Sequence, residues 1–116
     1  MVNYGALPVK ATISYPTRAY YTWYANTSGR PILVIIYLRA ILPNPNGEAY
    51  VIVKFASNPM LNRAGFGVAN VGGISPQGSF DGTVSFMVEN DESYSVADYK
   101  AGGGYVVIDE WIEVVL

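Results

Sequence analysis

The sequence predicts an all-β fold, an antiparallel, jelly-roll-like β-sandwich of about eight strands. Three observations predict it. β-branched and aromatic residues gather in short runs. Gly, Pro, Asn, Asp and Ser punctuate the chain between those runs. The 12 glycines and 7 prolines are spread so widely that no helical period persists. With 116 residues the chain suits one domain, 1–116, with a core that needs no disulfide staple. Residues 1–18 are open to a second reading, as an N-terminal arm or an oligomer contact.

The strands are justified in order. Residues 9–14 form a short first run, and 20–25 form an aromatic-rich second one. Residues 32–42 are the strongest run. Residues 49–56 alternate, placing Val51, Val53 and Phe55 on one face and Tyr50, Ile52 and Lys54 on the other. Residues 65–71 carry a weak signal. Residues 82–88 alternate cleanly, with Val84, Phe86 and Val88 inward and Thr83, Ser85 and Met87 outward. Residues 93–97 are short, and 105–116 are long. Turn chemistry separates them at Pro43-Asn44-Pro45-Asn46-Gly47, Asn58-Pro59, Gly72-Gly73, Pro76-Gln77-Gly78, Asn90-Asp91 and Gly102-Gly103-Gly104.

Two strands are apolar on both faces. In 32–42, Ile32, Val34, Ile36 and Leu38 share one face and Leu33, Ile35, Tyr37 and Ile41 the other. Strict alternation in 105–116 puts Val106, Ile108, Ile112 and Val114 together, opposite Val107, Trp111 and Val115. An antiparallel sandwich should keep its outer faces polar. A second cover is therefore expected, and another subunit is the favoured one. Leu33, Ile35, Tyr37, Trp111 and Val115 are the expected interface residues. Low charge, 14% against roughly 25% in typical soluble domains, points the same way.

Catalysis finds no support. There is no histidine and no cysteine, which excludes imidazole-centred and thiolate chemistry and most zinc, copper and iron sites. No cofactor and no metal are expected. Asp109 and Glu113 could share a strand face, but about 13 Å apart, too far for a glycosidase pair. The glycine clusters open no helix and lack the Lys-Ser/Thr of a phosphate loop. Residues 1–80 hold six bases and one acid, whereas 81–116 hold eight acids and one base. The halves are expected to neutralise each other, within the fold or across a subunit contact. No basic patch for nucleic acid stands out. No signal peptide is read at the start, and no apolar run is long enough for a membrane-spanning helix.

Tyr15, Tyr20, Tyr21, Trp23 and Tyr24 fall within ten residues. Such side chains suit sugar stacking and protein interfaces. The favoured reading is simpler: alternate members such as Tyr21 and Trp23 are core or subunit contacts. Asn26-Thr27-Ser28 also matches a glycosylation acceptor pattern.

Three segments in order carry a resemblance. The first is Asn26-Thr27-Ser28-Gly29-Arg30-Pro31-Ile32, entering the strong strand. The second is 82–88 followed by Ser93-Tyr94-Ser95-Val96. The third is Gly104-Tyr105, Ile108 and Trp111-Ile112-Glu113. Over residues 20–116 this order resembles the C-terminal tip domains of bacteriophage tail fibres and related tail-tip proteins. One departure is the acidic turn Glu89-Asn90-Asp91-Glu92, where the family carries Pro and Gly.

The resemblance implies a homotrimeric virion module that binds a host-surface glycan or protein through its loop tips. The tips would present Asn44, Asn46, Asn58, Asn62, Arg63 and Gln77, whose amides and guanidinium suit a glycan or a carboxylate. Other virion proteins are further expected partners. The alternatives are a purely structural capsid-decoration or tail-assembly subunit, and a stand-alone lectin-like domain.

Overall fold

The computed structural model describes residues 11–44, 46–69 and 78–116. Eight strands run β1 (Thr12–Ser14), β2 (Tyr24–Ala25), β3 (Ile32–Leu42), β4 (Glu48–Phe55), β5 (Asn58–Ala69), β6 (Gly78–Val88), β7 (Ser93–Ala101) and β8 (Tyr105–Val115). They form two antiparallel four-stranded sheets, ordered β1-β8-β3-β6 and β2-β7-β4-β5.

The pairing is nested. β1 joins β8, β2 joins β7, β3 joins β6 and β4 joins β5. The chain is thus one long antiparallel ribbon, rolled so that β3 also meets β8 and β4 also meets β7. This is jelly-roll wiring. It brings the basic half of the sequence against the acidic half. Arg18 pairs with Glu113 and Arg39 with Asp109, each at 2.9 Å.

The core lies between the sheets and is built from alternate residues. β3 supplies Ile32, Val34, Ile36 and Leu38; β4 supplies Val51 and Val53; β6 supplies Val84, Phe86 and Val88; β7 supplies Tyr94 and Val96. Each such aliphatic or Phe side chain stabilises the fold by roughly 1.5–3 kcal/mol when fully buried. Phe66 of β5 reaches across to Gly82 of β6. A Cβ there would lie 2.4 Å from the Phe66 ring, so a glycine lets the sheets close at this point.

Two sequence expectations need correction. β5 begins at Asn58, not near residue 65. Pro59, which reads as a turn residue, falls in a stretch where the β4–β5 register slips and residues 59–61 have no β4 partner. There its missing N–H breaks no ladder bond. The second correction concerns β8. Tyr37 lies opposite Glu110 and Leu38 opposite Ile108, so Asp109 is the extra residue of a β-bulge. The bulge reverses the facing of everything after it. Val106 and Ile108 pack inward before it, Trp111 and Val115 after it. Trp111 (6% exposed) and Val115, expected on an outer interface, therefore belong to the core side.

Among the described residues, no helix is long and apolar enough to cross a membrane.

Candidate functional site

One end of the outer face of the first sheet is apolar. Leu33, Ile35 and Tyr37 of β3 alternate with the buried residues and so point outward. The register sets Val114 and Met87 on either side of Leu33, and Ile112 and Ser85 on either side of Ile35. Ile13 of β1 lies beside Val114. Ile13, Tyr37 and Met87 are exposed. Further along the same face the character changes: Asp81 and Val107 flank Arg39, and Arg39 clasps Asp109 through Nε at 2.9 and 3.0 Å. Three of the five expected interface residues thus share this surface.

Trp111 serves another purpose. Its indole N–H donates to the Tyr94 hydroxyl at 3.1 Å, and that hydroxyl donates to the Glu113 carboxylate. Arg18 closes the chain of contacts, donating from Nη2 to Glu113 at 2.9 Å and stacking 4.2 Å from the Tyr24 ring centroid. Burial first, and then the Glu113 bond, push the Tyr94 phenol well above its usual range. The network ties the segment before β2 to both sheets. The sequence places Glu113 on this strand but carries no signal for its partners, which lie 19 and 95 residues away.

The loop-tip residues are not brought together. Asn44 and Asn46 lie in the β3–β4 turn, where Asn44 Nδ2 donates to the Gly102 carbonyl at 3.1 Å. Asn58, Asn62 and Arg63 lie on β5 instead of a loop tip. Arg63 sits 5.2 Å from the Phe55 ring centroid. The two groups are separated by the length of β4, about 23 Å at roughly 3.3 Å per residue. Gln77 lies outside the described residues.

The aromatic cluster divides, with a parity opposite to the one the sequence offered. Tyr20 and Tyr24 pack against the core, whereas Tyr21 (68% exposed) and Trp23 (49% exposed) face solvent. Tyr15 is also exposed. Tyr21 has φ 58°, a left-handed conformation unusual for a bulky residue. Two hydrogen bonds hold it there: its N–H donates to the Val96 carbonyl at 2.8 Å, and its hydroxyl donates to the Asp98 carbonyl. The Tyr21 ring is thereby fixed along β7. Tyr21, Trp23, Lys54, Ser95 and Ala97 line a groove of ≈ 290 Å³ on the outer face of the second sheet. Lys54 lies opposite Ser95 in the register, and Ile52 opposite Ala97.

Among the described residues, Asn26 is a buried polar side chain, at 3% exposure. Its Nδ2 donates to the carbonyls of Arg30 at 2.7 Å and Val88 at 3.0 Å. Its Oδ1 accepts from the Ser28 N–H at 3.1 Å and hydroxyl at 2.7 Å. The nitrogen that a glycan would need is therefore committed to the fold. Among the described residues, no cluster of three or more acids could hold a metal ion. No protein-family model and no curated protein matches this chain.

Proposed function

We propose that this chain is a non-catalytic assembly and attachment module of the bacteriophage tail-tip kind. It associates with copies of itself, three in number by the resemblance, is carried on the virion, and contacts a host-surface ligand. One observation supports the assembly part: the outward apolar face of Ile13, Leu33, Ile35, Ile112 and Val114, which a lone antiparallel sandwich would keep polar. The jelly-roll wiring is compatible with it, because viral shell and lectin domains share that architecture.

Light scattering at two concentrations tests the assembly. The expected mass is that of three chains, falling to one chain in the double variant Leu33→Glu, Ile35→Glu. Both residues point away from the core, so the variant should keep its fold. A wild-type chain that stays monomeric at both concentrations rejects the assembly.

A second reading, a lectin-like domain acting alone, is favoured by the exposure of Tyr21 and Trp23. Flat apolar rings at a surface suit the faces of sugars.

A further inference from the structure

We infer that the groove between Tyr21, Trp23 and Lys54 is a binding site for an acidic saccharide. The inference rests on the ligand-binding part of the function proposed above, and it moves the site from the loop tips to a sheet face.

The groove is preorganised. Tyr21 is pinned at both ends, by the Val96 and Asp98 carbonyls, in a backbone conformation that few tyrosines adopt. Strain of this kind persists where the surroundings over-determine it. A fixed ring loses little freedom when a ligand arrives. Trp23 is turned outward because Tyr24, its neighbour, is drawn inward between Tyr94 and Trp111. The floor residues Ser95 and Ala97 are small, which leaves room for a ring to lie flat. At ≈ 290 Å³ the groove is near the lower bound of roughly 300 Å³ for small-molecule sites, which suits one pyranose ring and its substituents.

Charge selects among sugars. Lys54 lines the groove and makes no ion pair among the described residues. Its ammonium can meet a carboxylate on the ring it faces. A single cation also argues against nucleic acid, whose binding draws on several phosphate contacts at once. One charge per ring, with an apolar ring face, describes a hexuronate or another carboxylated sugar.

Tryptophan emission tests the site, because Trp111 is in the core and Trp23 is the exposed reporter. Oligogalacturonate is titrated against the intact chain, beside its fully methyl-esterified form, which keeps the rings and removes the charges. The expected result is a saturable change in emission with the acidic oligomer, with affinity at least about ten-fold higher than for the ester. Lys54→Gln should lower the acidic oligomer to the level of the ester. Trp23→Ala, followed by calorimetry, should abolish binding of both.

Absence of a saturable response to oligogalacturonate overturns the inference. So does equal affinity for the two oligomers, or unchanged binding in Lys54→Gln. The mass of each sample is read alongside. A trimer that ignores both sugars removes this site and leaves the assembly standing, whereas a monomer that binds the acidic oligomer does the reverse.

Discussion

Asn26 is where three parts of the chain meet. Its side chain holds the turn through Ser28 and Arg30 and the end of β6 through Val88. Its backbone holds the β6–β7 turn, accepting from the Asp91 N–H and donating to the Glu92 carbonyl, each at 2.8 Å. Gly29, with φ 82°, lets the turn close over it. Asn26→Ala would take the side-chain donor from the buried Val88 carbonyl, at a cost of about 1–3 kcal/mol if that group is left unsatisfied. Asn26→Asp should be as harmful, because a carboxylate cannot donate to Arg30 and Val88. Urea denaturation of the two variants checks this, and a loss confined to the alanine variant would contradict it.

Tyr20 belongs to the same scale. Burial, with Asp98 and Tyr21 nearby, pushes its phenol from 10.0 up to about 12. Because the folded value is raised, the fold favours the neutral phenol. The associated stability is complete below pH 10 and is lost as pH rises toward about 12. In a spectrophotometric tyrosine titration, Tyr20 and Tyr94 should ionise late. Tyr20→Phe should remove one late step, and an unchanged curve would refute the assignment.

At the scale of the element, β8 carries the lesson. Its bulge at Asp109 turns Trp111 inward, where it packs with Tyr24 and Tyr94 at centroid distances of 6.3 Å. Trp111→Ala should cost about 3–5 kcal/mol by loss of that packing. Trp111→Phe should cost less and still lose the Tyr94 hydrogen bond. Thermal denaturation measures both, and a near-neutral Trp111→Ala would return this residue to an outer surface.

The alternating strands were legible in the sequence. The inward sets of 32–38 and 84–88 follow period two without interruption, so side-chain type alone assigns their faces. The facing of Trp111 was not, because strict alternation assumes an unbroken ladder. A clue was present: Asp109 and Glu110 are adjacent acids within an apolar strand, and both stay exposed only if a bulge intervenes. β7 ran past its expected end for a related reason. Asp98 and Lys100 lie opposite the inward residues Val51 and Ala49, so the alternation looked spent. Past Tyr94 the strand has no β2 partner, so its charges lie along a locally open edge, where they discourage pairing with other strands. The groove was half-legible: the cluster was visible, but the left-handed turn at Tyr21 decides which rings face water.

For the whole molecule, nested pairing sets the folding problem. Ser14 and Glu113 touch across 99 positions of sequence, while β4 and β5 meet through a short hairpin. Loop closure must precede most of the reward, so refolding should fall in the range of roughly milliseconds to seconds typical of sandwiches. Stopped-flow emission from Trp111, in a Trp23→Phe background, follows the closing of the core. A microsecond phase carrying the full amplitude would rule this out.

The same nesting governs how the molecule bears load. Thr12 and Val115 face each other at the rim of the first sheet, and the strands they belong to run away from that point side by side. Tension drawn through these two positions falls on one hydrogen-bonded rung at a time, as in a zip, and never on a whole ladder in shear. After β1 lets go, β8 peels from β3 rung by rung in the same manner. A chain wired in this way resists pulling across its sheets far better than pulling at its ends.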